Sequence, residues 1–503
     1  MDLISDYFHD KTAFDTQDGA YKPIIPAPTN SSPLAIPPLL SPDKVTNDTT
    51  YCTIRAQQGT VQYFPDTPAT NTWGYNGNIL GPTIPFQVGV HYKITLVNDL
   101  PEPTTWHWHG LNISGPIADG GPFAAVLPGE QSTIEFTLNQ PAATAWLHPH
   151  PCPQTARQVW QGLAAEVIIQ DTVEAQIDLP RAYGTNDIPL VLQDRSFHNG
   201  QLDYDADYDV DGTTGNYALV NGTLNATYTV TQPVMRFRIL NGANRREFRL
   251  NFSDGLPFYQ IASDGGLLPQ TVGFTRLMLT CAERAEILVD FRGYQPGDQV
   301  QLRTDDSTLI TFNIGRMPAS DYVIPDKLAP VEHLDDSSNH VDHRTVMSGM
   351  DAEVRLDDKL FDMTRIDYRL PINTTQCWEI ENTNDMTGGM VHPYHMHGCE
   401  FQVVSRNGNA PFANEHGWKD TVAVNPGEVV KIKFRVRQSG LYMYHCHILE
   451  HEDTGMMAQY ESFDPNNDQP IDITHYVHQL EKNGLHVCRD MSGMDHSGMD
   501  MNM

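Results

Sequence analysis

Cysteine is scarce in this sequence, and no two cysteines form a CxxC pair. The seven residues Cys52, Cys152, Cys281, Cys377, Cys399, Cys446 and Cys488 are scattered along 503 positions. An odd and sparse set argues against a disulfide framework and fits a reducing compartment or individual roles. Basic residues are also few, 32 against 63 acidic, for a net charge of −31. Such a surface repels nucleic acid and anionic membrane and favours solubility and cationic partners. No window approaches the ~18 consecutive apolar residues of a membrane-spanning helix. The opening stretch MDLISDYFHDKTAFDTQDG has neither a basic nor an apolar leader region, so it does not read as a signal peptide. The expectation is a monomer that folds in the cytoplasm, with export by a leader outside this sequence as the alternative. No nucleic-acid or membrane partner is expected.

Helical periodicity is scarce too, whereas turn residues are plentiful, with 37 Gly and 35 Pro. Strand-like alternation begins near Tyr51 and recurs in stretches such as VGVHYKITLVNDL and VVKIKFRVR. We read an extended arm over 1–45, strand-rich blocks over 46–171, 172–325 and 359–485, and an acidic linker over 326–358. A low-complexity tail follows at 486–503. Each block has the size of a β-sandwich or Greek-key barrel. The predicted fold class is all-β, in three consecutive domains.

Histidine is where the sequence concentrates chemistry. HWH (107–109), HPH (148–150), HPYHMH (392–397) and HCHILEH (445–451) hold ten of the 21 histidines. The 241 residues between His150 and His392 hold four, none in an HxH. On a strand, residues i and i+2 share a face about 6–7 Å apart. His445 and His447 therefore face one site while Cys446 faces another. His451 and Met456 follow closely enough to curl back toward the Cys446 side, and His392 is available as a second imidazole. A thiolate, imidazoles and a weak thioether are the ligands of a blue-copper electron-transfer site.

Eight imidazoles then remain in four pairs: His107/His109, His148/His150, His395/His397 and His445/His447. All-nitrogen ligation of that size suits a cluster of several copper ions with open positions for a small gas molecule. A lone HxH is as often an accident of an edge strand, and Cys446, Met456 and Met457 alone would read as core. Four such clusters with a cysteine inside one weigh against those readings together. Zinc fails because there is no second thiolate and there are too many histidines for one tetrahedral ion. The other eleven histidines read as surface or locally hydrogen-bonded residues, and Cys152 reads as a small loop residue. The MSGMD repeat of the tail could gather copper(I), but reads better as a solvated segment.

Over about residues 50–465 the sequence resembles the multicopper oxidase family, near its bacterial laccase-like and cuprous-oxidase members. The resemblance rests on GYNGNILGPTI, HWHG, DGGP, WLHPHP, RFRILNGANRREFRL, ERAEILVDF, HPYHMHG, GWKDTV and HCHILEHEDTGMM, in this order along the chain. It implies three cupredoxin domains and four copper ions. A type 1 copper would be held by His392, Cys446 and His451 with Met456 axial, and a type 2 copper by His107 and His395. Two type 3 coppers would take His109, His148 and His447, and His150, His397 and His445. The trinuclear site would lie between the first and third domains, with the second as a spacer. In relatives, carboxylates at the positions of Asp119 and Glu452 supply or orient protons for oxygen reduction.

The implied activity is an oxidase that takes single electrons at the Cys446 copper and reduces dioxygen to water. Phenols and aromatic amines are the first-ranked donors. Oxidation of copper(I) ranks second, because the stretch where such relatives carry a methionine-rich segment offers only Met347, Met350 and Met363. A non-catalytic copper-binding scaffold is the alternative of another class.

Overall fold

The computed structural model describes residues 3–4, 22–334, 340–350, 353–383 and 389–490. Strands dominate, and they pair into six sheets, two to each block. The first block sets a sheet containing Thr49–Val61, His91–Asn98 and Gln131–Thr137 against one ordered Ile84–Gln87, Ala165–Gln170, Ala143–His148, His107–His109. The alternation legible in HYKITLVN is the reason: every second side chain enters a core containing Ile54, Ile94, Phe86, Trp108, Phe136 and Val167. The second block packs an eight-stranded against a six-stranded sheet around Phe237, Phe252, Phe291 and Phe312. The third packs two five-stranded sheets around Trp378, Tyr394, Tyr444 and Tyr460. The fold class is all-β, with two sheets packed face to face in each block.

Four features depart from the sequence reading. The stretch read as a linker carries strands His343–Ser348 and Arg355–Leu356, and the first pairs in parallel with residues of Gln376–Asn382. Short alternation in HRTVMS was hidden by the acidic residues around it. The arm is strapped down: Ser32–Pro33 pairs with Ala226 and Thr227, and Leu3–Ile4 with Gly273 and Phe274. The proposed tail begins inside the structure, since Cys152 and Cys488 form a disulfide with a Cα–Cα distance of 6.4 Å. This overturns the reading of Cys152 as a small loop residue and weakens the cysteine argument for a reducing compartment. The partners stand 336 residues apart, so no spacing pattern could announce them. Residues 491–503, with the MSGMD repeat, lie outside the described residues.

The fourth departure is the helix Ile473–Lys482, capped by Asp472, whose carboxylate accepts from His475 N. It buries Val477 and Leu480 in a small cluster with Phe123 of the first block and Leu441 and Met443 of the third. Helix and disulfide together close the seam between those two blocks, and the histidines gather along that seam.

Candidate metal centre

The four HxH pairs reach the seam on different elements. The strand His107–His109 runs antiparallel to Ala143–His148, with His107 opposite His148. On the third block, His392–Met396 runs antiparallel to Gly440–Cys446, with His395 opposite His445. His150, His397 and His447 follow just past their strands, and His447 N donates to Pro393 O at 2.7 Å. All eight side chains are buried, none more than 1% exposed. His107 stacks on His397 at 3.8 Å between ring centroids, and His109 on His395 at 3.6 Å. Each stack joins one imidazole of the first block to one of the third.

Hydrogen bonds fix which nitrogen each ring presents. The Nδ1 of His107 donates to Asp119 O at 2.9 Å, that of His148 to Pro149 O at 2.9 Å, and that of His395 to Asp420 O at 2.8 Å. The Nδ1 of His445 donates to Cys446 O at 2.9 Å, and that of His397 to Asp119 Oδ2 at 2.8 Å. The carbonyl or carboxylate oxygen accepts in each case, so each of these rings carries a proton on Nδ1 and turns its Nε2 inward. The Nε2 atoms of His107, His148 and His395 have no hydrogen-bond partner among the described residues. The Nε2 atoms of His397 and His445 stand 3.1 Å apart, and those of His150 and His445 3.3 Å. The lone pairs of His397 and His445, aimed at one another in a dry pocket, repel unless a cation lies between them.

His109 is the reverse case. Its Nε2 donates to Asp420 Oδ1 at 3.0 Å, which leaves Nδ1 without a hydrogen-bond partner among the described residues. Burial, reinforced by neighbouring imidazoles or by the Arg284 cation, holds His109, His148, His150, His395, His397 and His447 far below the ordinary imidazole range; burial pulls His445 down to about 3. The rings therefore stay neutral, the form a metal requires. The donor atoms of His107, His109 and His148, of His107, His395 and His397, and of His150, His397 and His445 each lie within 4.8 Å of one another. The residues fit a multinuclear copper site.

A second pocket lies on the other side of Cys446. Its Sγ stands 3.4 Å from His392 Nδ1 and 3.7 Å from His451 Nδ1. His451 comes from the short helix Leu449–Thr454, and the chain then turns through Gly455 so that Met456 N donates to His451 O at 2.8 Å. Met456 shares the core cluster of Cys446, while Met457 falls in the cluster on the opposite side of the strand. Burial pushes the Cys446 thiol far above its ordinary range. A thiolate is reached here only with a cation at hand, which suits a soft metal ion.

Two carboxylates flank the histidine centre from opposite sides. Asp119 Oδ2 lies 2.8 Å from His397 Nδ1 and 3.6 Å from His107 Nδ1. The next residue, Gly120, sits at φ +85, where a Cβ would collide with Trp106 O. Only glycine lets the Asp119 loop close onto the HWH strand. Glu452 spans the other side, with Oε1 3.3 Å from His150 Nδ1 and Oε2 3.4 Å from His445 Nδ1. Burial pushes its carboxyl well above the usual carboxylate range.

Three polar residues escaped the sequence reading. Asp420 and Arg284 sit inside the motifs GWKDTV and ERAEILVDF, yet nothing in their spacing announced contact with a histidine. Asp453 caps the helix Thr155–Gln161, its oxygens accepting from Thr155 N at 3.0 Å and Ala156 N at 2.8 Å. It thereby pins the His451 helix to the first block. The second block is more than a spacer, for Arg284 Nη1 stands 3.2 Å from His109 Nε2 and Asn244 donates to Glu450 at 2.9 Å.

Known proteins with related sequences and folds bear on these two pockets. Two family models, both described as multicopper oxidase, match residues 55–174 and 325–466. A Staphylococcus aureus multicopper oxidase is 40% identical over 426 residues, covering 85% of this chain and 91% of its own. A laccase of Pediococcus acidilactici superposes with a TM-score of 0.90 at 57% identity, covering 92% of this chain and all of its own. A multicopper oxidase of Campylobacter jejuni, described as a metallo-oxidase, superposes at 0.74 with 25% identity, covering 88% and 98%.

Proposed function

The chain belongs to the multicopper oxidase family, and on that premise we propose that it is a laccase-like oxidase coupling one-electron oxidation of phenols and aromatic amines to reduction of dioxygen to water. Four donor oxidations match one dioxygen and yield two waters. One observation carries the reading: ten histidines and Cys446 converge into two dry pockets that share the tripeptide His445–Cys446–His447. We assign His392, Cys446 and His451, with Met456, to a type 1 copper. We assign His107 and His395 to type 2, and His109, His148 and His447, and His150, His397 and His445, to a type 3 pair. Copper held by these residues would supply a one-electron couple at the first pocket and dioxygen chemistry at the second.

The protein's own residues supply the rest. Cys446 is bonded through its backbone to His445 and His447, so an electron entering at its sulfur has a covalent path of a few bonds to the cluster. Glu452 and Asp119 stand where protons must be delivered, one on each side of the histidines, and a positioned proton donor of this kind contributes ~10²–10⁴-fold. Burial of both pockets keeps partly reduced oxygen away from solvent.

Copper(I) oxidation is the second reading, and one observation favours it. Asp211 Oδ1 lies 4.0 Å from the outer nitrogen of His451, a carboxylate placed to meet a cationic donor. Against it, Met347 and Met363 are fully buried core residues and offer no thioether surface. A scaffold without catalysis sits poorly with a complete ligand set. Steady-state oxygen uptake with a phenol, an aromatic amine, copper(I) and iron(II), compared side by side, is the test. Turnover with metal ions alone would replace the first reading by the second, and no uptake with any donor would sink both.

A further inference from the structure

Among the described residues, Arg284, the first residue of strand Arg284–Asp290, brings the middle domain to the eight-histidine centre, with Nη1 3.2 Å from His109 Nε2. Its guanidinium is fully buried and every arm is committed. Nε donates to Thr144 O of the first domain at 2.9 Å, Nη1 to Ala282 O at 2.9 Å, and Nη2 to Asp264 O at 3.2 Å. The same fork grips Asp420 of the third domain with both prongs, Nη1 to Oδ1 at 2.7 Å and Nη2 to Oδ2 at 2.5 Å. Asp420 in turn accepts from His109 Nε2 through its side chain and from His395 Nδ1 through its backbone carbonyl. Those are the two stacked imidazoles, one from the first domain and one from the third.

We infer that Arg284 and Asp420 act as positioning residues for the copper cluster, locking His109 in the tautomer that presents Nδ1 and holding the His109–His395 stack across the seam. The inference rests on the copper reading given above. Three features point the same way. Among the rings whose hydrogen bonds fix a tautomer, His109 alone turns Nδ1 inward, and Asp420 is the acceptor that makes it do so. Asp420 could itself join a metal, since its oxygen and donor atoms of His109 and His395 lie within 4.8 Å of one another. With both oxygens held by the fork it is reserved for hydrogen bonding instead. Finally, Gly110 of HWHG stands at φ +87, and a Cβ there would come within 2.8 Å of both Arg284 Nη2 and Asp420 Oδ2. The glycine after the histidine pair makes room for this ion pair.

A buried ion pair could serve folding alone, so the test must separate stability from copper. Arg284→Met/Asp420→Leu replaces both charges by apolar side chains, a change that is commonly neutral or stabilising for a buried pair. Asp420→Asn, which keeps the shape of the side chain, is compared alongside. Copper is titrated into each metal-free protein, following copper per chain, the paramagnetic resonance of the cluster, the blue absorption band and the melting temperature. The positioning role predicts near wild-type melting for the double variant with cluster affinity lowered ~10–100-fold, the usual scale for losing a partner of a metal ligand. It also predicts an altered cluster resonance in Asp420→Asn and an unchanged blue band in both. Wild-type cluster affinity and resonance in the two variants would overturn the inference while leaving the copper reading intact. A wild-type protein that takes up copper only at Cys446 would overturn both.

Discussion

The two histidine-lined pockets share one tripeptide and are built in opposite ways. The Cys446 pocket is local: His392, Cys446, His451 and Met456 all lie in the third domain, three of them within eleven residues. The strand Gly440–Cys446, the helix Leu449–Thr454 and the turn at Gly455 suffice to bring those three together. The eight-histidine centre is assembled from docking. Four rings come from each of two domains, both stacks cross the seam, and the Asp420 clamp is closed by a guanidinium from the middle domain. A site encoded by spacing should survive insults that loosen the interface. A site encoded by docking should not.

The most severe way to break this comparison is at the shared residue. Cys446→Ser is expected to abolish the blue band and oxidase turnover while leaving cluster copper bound, measured by metal analysis and paramagnetic resonance. A variant that stays blue would remove Cys446 from the first pocket. Next come the carboxylates, which belong to the docked site alone. Glu452→Gln and Asp119→Asn should keep their copper and the normal reduction rate of the blue site. Reoxidation by dioxygen in stopped-flow mixing should slow by ~10²-fold or more. Loss of copper from either variant would show that the carboxylate is structural.

The disulfide sharpens the contrast further with a smaller effect on turnover. Cys488→Ser removes the link between the third domain's last helix and the HPHPCP loop of the first, at a cost of ~2–5 kcal/mol in stability. On heating, cluster copper should leave this variant several degrees before the blue band fades, whereas the parent loses them closer together. Simultaneous loss in the variant would mean that the seam does not govern the cluster separately. The mildest change is inside the local pocket: Met456→Leu should raise the potential of the blue site by removing a weak donor. Met457→Leu, on the opposite face, should leave it unmoved. Redox titration distinguishes the two.

The difference between the pockets also explains what could be read from residues alone. HCHILEHEDTGMM placed Cys446, His451 and Met456 together because period-2 alternation, one helical turn and a glycine exit are local rules. The HxH pairs were legible for the same reason, each being a strand with two rings on one face. Arg284 and Asp420 were not, since a buried Arg–Asp pair looks in sequence like any other two charges 136 positions apart. The acidic stretch around His343–Ser348 concealed a strand whose partner lies beyond it, and pairing with that partner, more than local propensity, made it a strand.

Composition, alternation and histidine spacing by themselves determined an all-β chain, its three blocks and the chemical character of both pockets, because those properties depend on neighbours a few residues apart. Tertiary structure alone decided the Cys152–Cys488 link and the tautomer of His109. It also decided the pairing of rings across the seam and the part played by the middle domain. Each of these depends on atoms brought within about 3–4 Å from hundreds of residues away. Hydrogen-bond geometry discriminates at tenths of an ångström, and no pattern along the chain carries distances of that kind.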